Sequence, residues 1–540
     1  MTSIEPGGPS GHVDSFTRDN LPPREARTAC DYAVLPALAA YPGRFNVAAT
    51  LLGDRIAAGD GARTALLFGD RNWSYAELDA LSNRVARALV DDMGLVSGNR
   101  VLLRAPNNPM LAATWLGVLK AGGVAVATMP QLRARELALV AEKAEISHAL
   151  CDITLADELV SVPGLPHRAF FTASGDGDAD FDVLVAGKDA TFAAADTAAD
   201  DVAIIAFTSG TTGQPKGCMH FHRDILAMCD CFPPTVFGAD RNDIITGSPT
   251  LAFAFGLGAL LTFPLRIGAA AALIERPSPD ALLSTIAQHR CTALYTAPTA
   301  YRALTGMVGD YDLLSLTKCV SAGETLPAPT WSAWHDATGL SIIDGIGSTE
   351  MLHIFISSPQ AEIKPGATGR VVAGYEACVL DDDGKTAAPD ETGRLAVRGP
   401  TGCKYLANAE RQAGYVQHGW NLTGDLYRQD ADGYFWYVSR ADDMIISAGY
   451  NISGPEVEAA LLEHPDVLEC AVVGEADDDR GQIVAAHIVL RQGAEPSITS
   501  LQDFVKQSIA PYKYPRAITF VDDLPKTETG KLQRFKLREG

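Results

Sequence analysis

The chain has 540 residues, 47% of them hydrophobic and 20% charged, with a formal net charge of -22. That length exceeds one ordinary core, so two or more domains are expected, and the acidic balance argues against nucleic-acid and anionic-membrane partners, which call for basic surfaces. The ten cysteines lack paired C-x-x-C spacing and the N-terminus lacks an apolar signal-peptide core, which predicts reduced thiols in the cytoplasm.

Residues 1–28 mix Gly, Pro, Ser and charges and read as a flexible, draped arm. From there to about residue 200 helix-like and strand-like segments alternate. "SYAELDALSNRVARALVDDM" has helical apolar spacing behind a Ser cap, "NRVLLRAP" reads as a strand, "PMLAATWLGVLKAG" as a helix closed by Gly, and "VAVATM" as the next strand. This alternation predicts an α/β domain with parallel strands.

The strand-like run "DVAIIAF" would hold the following stretch, "TSGTTGQPKG", on a rigid edge. That stretch is not the nucleotide-hydrolase phosphate loop, because Pro215 precedes Lys216 and Gly217 follows it. Its chemistry still suits an anion: Gly210, Gly213 and Gly217 free backbone N–H groups to turn inward, Thr208, Ser209, Thr211 and Thr212 add donors, and Lys216 adds charge. A polyphosphate is the expected ligand, against the alternative of a solvated turn. "MHFHRD" reads as the helix after the loop, with His220 and His222 structural rather than a metal pair, and Cys229 and Cys231 as ordinary helix residues.

The run Leu251 to Leu265 is too short for a membrane span and contains two glycines and a proline, so it reads as buried chain lining a cavity or core. "TALYTAP", "KCVSAGE" and "SIIDGIGSTE" are strand-to-loop passages. In "DGIGSTEM", two glycines precede Thr349, which can donate to a phosphate oxygen, and Glu350, which can ligate magnesium. Residues 368–441 break into short strands between Gly, Asp and Pro turns, a β-rich subdomain closing an N-terminal domain of residues 29–441. A small α+β unit, residues 442–540, follows a boundary at Asp442.

Taken in order, "TSGTTGQPKG", "DGIGSTEM", "TGD" at Thr423 to Asp425, "SRADD" at Ser439 to Asp443 and "PKTETGK" at Pro525 to Lys531 resemble the acyl-adenylate-forming superfamily of acyl-CoA synthetases, luciferases and adenylation domains. The resemblance spans nearly all of the chain beyond the arm. It implies a large α/β N-terminal domain with a small mobile C-terminal one, and ATP, Mg2+ and coenzyme A as co-substrates and cofactor. It assigns the Ser/Thr/Gly loop to the β and γ phosphates, Thr349 to the α-phosphate, Glu350 to magnesium, and Asp425 to the ribose with Arg440 beside it. Ala322, Gly323, Glu324 and the backbone of Asp344, Gly345 and Ile346 would form the adenine slot, and Lys531 would bridge the carboxylate and the α-phosphate. Rotation about Asp442 would then bring Gly449 against a pantetheine tunnel, although a simple turn is an equal reading of that glycine. Ser439 departs from the Gly common at that position in the family.

"SPTLAFAFGLGALLTFPL", "DGIGSTEMLHIF" and the arm "HVDSFTRDNLPP" are similar to the benzoate and 2-aminobenzoate CoA ligases. That likeness places Ala254, Phe255, Phe263, Ala322, Gly347, His353 and Ile354 around a small aromatic carboxylic acid. Read without it, Phe255 and Phe263 are core residues and His353 a hydrogen-bonded core histidine. Phe255 stands where benzoate ligases commonly carry Tyr, and the lost hydroxyl weighs against unsubstituted benzoate as the preferred acid; separately, an ortho-amino group is expected near His353, which could accept its hydrogen bond. A stand-alone adenylation protein loading a carrier-protein thiol and a catalytically inert relative are the competing functions. Monomer and homodimer are equally compatible with the sequence.

Overall fold

The computed structural model describes residues 9–209, 215–441, 443–447, 450–477, 480–509, 511–526 and 532–538. Gly210, Thr211, Thr212, Gly213, Asp442, Gly449 and Lys531 lie outside the described residues.

The alternating first part folds into a six-stranded sheet. Its spatial order is His167–Phe171, His148–Asp152, Arg100–Arg104, Val124–Thr128, Val202–Ser209 and Pro215–Phe221. Pairing is parallel up to Val202–Ser209 and antiparallel across the last pair. Arg100–Arg104 is buried along its length, as expected of a strand covered on both faces. Ser74 and Glu77 close a capping box at the start of helix Tyr75–Asp91, and helix Pro109–Lys120 beside it is buried throughout. The last strand corrects one expectation. His220 does not open a helix; it pairs with Ile204 in the hairpin, and the helix begins one residue after Phe221 as His222–Phe232. Antiparallel pairing with Val202–Ser209 keeps "PKGCMHF" extended.

A nine-stranded sheet follows. Thr64–Phe68, Ala270–Ala272, Ile244–Gly247, Ala293–Thr296, Lys318–Ser321 and Ile342–Gly347 run parallel in its interior, and antiparallel strands form both edges. Thr296 pairs with Ser321 and Ser321 with Asp344, so these strands end abreast and their loops emerge side by side. That carboxyl edge is where open α/β sheets place ligands.

The segment from Glu376 to Arg440 forms an antiparallel sheet, while Arg370–Val371 joins the edge of the nine-stranded sheet through Ile354–Ser357. A last sheet, Ile445–Ser447, Tyr450–Ile452, Val467–Asp477, Gly481–Leu490 and Ala517–Phe520, carries helices Gly454–Leu462 and Ile498–Ser508 over its own core of Val457, Leu461, Val472, Val484, Leu501 and Val505. The fold is thus α/β, with a large N-terminal part and a small C-terminal α+β domain.

The start of the described arm lies against the first sheet: Gly11 N–H donates to Asp201 at 2.8 Å, Asn99 donates to Asp14 at 2.8 Å, and the Arg100 guanidinium sits 4.3 Å over the Phe16 ring. Among the described residues no helix is long and apolar enough to cross a membrane, and all ten cysteines are free thiols.

Candidate active site

The turn Ser348–Leu352 leaves the carboxyl end of strand Ile342–Gly347 and carries both polar residues singled out in the sequence. The Tyr405 hydroxyl donates to Glu350 Oε1 at 2.6 Å, which orients the carboxylate. The Thr349 carbonyl accepts from His220 Nε2 at 2.7 Å and from Leu352 N–H at 3.2 Å. Across from this turn, Thr208 pairs with Lys216 and Ser209 with Pro215 at the mouth of the hairpin. Burial and the guanidiniums of Arg411 and Arg440 lower the Lys216 pKa, and the Glu350 carboxylate opposes them. Lys216, Glu350 and Arg440 therefore share one electrostatic neighbourhood.

Asp425 and Arg440 face each other in register across two antiparallel strands, with Arg440 Nη1 3.0 Å from Asp425 Oδ1 and 3.1 Å from the Thr423 carbonyl. Gly424 between them has φ +79°, and a side chain there would meet Arg440 Nη2 at 2.9 Å, so the "TGD" glycine lets the guanidinium lie across the turn.

The second loop, Ala322–Glu324, runs beside the Gly345–Gly347 backbone. Ala322 is buried, Gly323 has φ +90°, and the Glu324 carboxylate accepts from Thr299 N–H at 3.3 Å and Thr299 Oγ1 at 3.2 Å. Burial raises the Glu324 pKa, partly offset by Thr299, Arg302 and Lys526. Lys526, near the end of the chain, is thus within electrostatic reach of Glu324. Burial pushes the Asp344 carboxyl up to about 7, held back by the Gly345 N–H and the Ser321 hydroxyl.

Three residues beyond Glu350 the same chain enters an aromatic cage. The His353 ring lies 4.5 Å from Phe263, edge-on, 5.3 Å from Phe232 and 6.0 Å from Phe255. It is 3% exposed, and neither ring nitrogen has a hydrogen-bond partner. Burial lowers its pKa to about 3, so the ring is neutral. Gly347 pairs with Ile354, and Ala254, Phe255 and Ile346 pack on the same core. A cavity of about 20 Å³ opens beside Ala254, lined also by Leu257, Leu352, Trp115 and Ala127.

The described candidates thus form two groups: a polar one, with Lys216 from the six-stranded sheet, Thr349 and Glu350 from the turn after Ile342–Gly347 and Asp425 and Arg440 from the antiparallel sheet, and an apolar one around His353. Sequence reasoning missed Tyr405, Thr299 and the reach of His220. A tyrosine in "CKYLAN" carries no local signal, since its carboxylate partner is 55 residues away.

Comparison with known proteins fits this geometry. The AMP-binding enzyme profile matches residues 54–405 and the AMP-binding enzyme C-terminal domain profile residues 456–531. A benzoate–CoA ligase of Thauera aromatica is 37% identical over 527 residues, covering 95% of this chain and 99% of the relative. The crystal structure of the anthranilate CoA ligase AuaEII in complex with anthranoyl-AMP superimposes with a TM-score of 0.88 at 34% identity, covering 94% of this chain and 98% of that one. A benzoate CoA ligase from Burkholderia xenovorans LB400 gives 0.84 at 33% identity, covering 92% of this chain and 100% of that one. With both profiles matched in order along the chain, and a relative 37% identical over 95% of it, the chain belongs to the AMP-binding enzyme family.

Proposed function

We propose that the chain is an ATP-dependent aryl-CoA ligase. A carboxylate oxygen of an aromatic acid attacks the α-phosphorus of ATP and pyrophosphate leaves; the thiol of coenzyme A then attacks the acyl carbon, expelling AMP. The observation that carries this reading is the continuity of Glu350 with His353: a carboxylate suited to a cation and a buried aromatic cage lie on one short segment, so an acid held in the cage would present its carboxylate to the phosphate side.

In this reading Thr208, Ser209 and Lys216 hold phosphate oxygens, Thr349 donates to the α-phosphate, and Asp425 with Arg440 takes the ribose. Glu350 would hold Mg2+: Tyr405 occupies one of its oxygens, and the other takes no hydrogen bond among the described residues. When bound, the cation neutralises phosphate charge. Ala322, Gly323, Glu324 and the Asp344–Ile346 backbone form the adenine slot. Lys531 carries the charge that stabilises the adenylation transition state; residues 442–540 turn about Asp442 between the steps and bring Gly449 to the pantetheine.

The acid is of the benzoate type, with 2-aminobenzoate preferred. The cage offers flat apolar walls plus one neutral ring nitrogen able to accept from an ortho-amino N–H. The test is acid-dependent pyrophosphate release with ATP and magnesium, with and without coenzyme A, across benzoate, 2-aminobenzoate, salicylate, 4-hydroxybenzoate, phenylacetate and a medium-chain fatty acid. CoA-dependent turnover led by 2-aminobenzoate is expected. Pyrophosphate exchange without any CoA product would point instead to a carrier-protein acceptor, and no release with any acid would end the ligase reading.

A further inference from the structure

His220 is 0% exposed, and the reaction as described gives it no role. We propose that it is a positioning residue for the adenylation step, resting on the function proposed above. Through the Thr349 carbonyl it fixes the turn that aims the Thr349 hydroxyl and the Glu350 carboxylate at the triphosphate and its cation.

A carbonyl oxygen only accepts, so the ring nitrogen 2.7 Å from it carries a proton and Nε2 donates. With Leu352 N–H on the same oxygen at 3.2 Å, both lone pairs of the Thr349 carbonyl are engaged. The turn depends on such restraint. Leu352 has φ +66°, a left-handed conformation that leucine rarely adopts and that persists only where its surroundings impose it.

His220 is itself held. Its Nδ1 faces Asp224 Oδ2 at 3.7 Å, and that oxygen also accepts from Lys404 Nζ at 2.9 Å and Phe221 N–H at 3.0 Å. Lys404 donates further to the Gly402 carbonyl at 2.9 Å. The backbones on either side are tied by Met219 N–H to the Lys404 carbonyl at 2.8 Å and Leu406 N–H to the Gly217 carbonyl at 2.9 Å. Tyr405, between Lys404 and Leu406, is the residue that orients the Glu350 carboxylate. The turn is therefore gripped twice from one ribbon pair, at the Thr349 carbonyl by His220 and at the Glu350 side chain by Tyr405.

The experiment compares full-length His220→Leu, His220→Asn and His220→Gln with the unaltered protein in acid-dependent pyrophosphate–ATP exchange, titrating acid, ATP and Mg2+, with melting temperatures alongside. The Gln amide nitrogen reaches the place of Nε2; the Asn amide reaches only that of Nδ1. Expected are a fall in kcat of about 10- to 100-fold for Leu and Asn with a raised Mg2+ requirement, and a Gln variant within about fivefold of the original, as for other groups that orient ligands from behind. Unchanged kcat in all three, or an equal fall in all three that tracks their loss of melting temperature, would overturn the proposal. If the Leu variant does not fold, the Asn–Gln contrast decides alone, equal kcat overturning it. Absence of exchange in the unaltered protein with every acid would refute the ligase reading, a result separable from either outcome for His220.

Discussion

His353 joins the apolar and polar halves of the site. Its ring is enclosed by Phe232, Phe255 and Phe263 with neither nitrogen bonded, and burial holds its pKa near about 3, so at ordinary assay pH it is a neutral acceptor awaiting a donor. In the proposed reading an amino group ortho to the carboxylate would supply that donor, which benzoate lacks. The ratio of kcat/KM for 2-aminobenzoate to that for benzoate is therefore expected to fall about 5- to 10-fold in His353→Ala, one neutral hydrogen bond's worth. A ratio equal to that of the unaltered protein would remove His353 from ring recognition. Local patterning gave this residue only as a bonded core histidine between Leu352 and Ile354. The position is core but the bonds are missing, and it was the resemblance to benzoate-type ligases that placed His353 at the acid.

At the scale of elements, the run Leu251 to Leu265 builds the cage wall by failing to be a regular helix. Helix Ala254–Leu257 passes through a wider turn, Gly258–Thr262, into Phe263–Ile267, and the widening brings Phe263 back towards His353. Gly258 is what admits the ring: a Cβ there would lie 2.7 Å from His353 Cδ2, 2.8 Å from its Nε2 and 2.9 Å from Phe263 Cζ. Gly258→Ala is predicted to cost about 1–3 kcal/mol in denaturant unfolding by overpacking, and to raise KM for the acid while leaving KM for ATP nearly unchanged. Equal rises in both constants would mean the strain spreads beyond the cage. Apolar composition was enough to read this stretch as buried chain, but the residue its wide turn fits against, His353, lies far along the sequence, where no local window contains it. The same limit misplaced His220 on a helix, because its extended conformation comes from pairing with Ile204.

For the whole molecule, the alternating pattern was enough to predict parallel sheets, and the change of pattern beyond about residue 369 a β-rich part followed by a small unit. It did not give the order of the strands within those sheets, since that order depends on contacts between distant segments. One consequence of so much enclosed polar surface is a pH-dependent stability with opposing parts. His222 and His353 are both held to about 3 by burial, below the ordinary 6.5. Between those values the unfolded chain binds protons that the folded chain refuses, so each histidine makes stability fall as pH falls through 6.5 towards 3. Asp344 does the reverse: its carboxyl, raised from 3.8 to about 7, takes up a proton in the folded state first, so acidification below 7 favours folding until the unfolded chain is protonated as well. These slopes partly cancel in the intact protein, and a single profile would conceal them. A difference between variants does not. From pH 7 to pH 5 one such histidine accounts for about 2 kcal/mol, so His353→Phe should lose about 2 kcal/mol less than the unaltered protein over that interval in paired denaturant titrations. Asp344→Asn should move the other way, losing more on acidification because the favourable proton uptake is gone. Parallel curves for all three proteins would show that these groups exchange protons alike in both states, and burial would then not be what sets the protonation of His353.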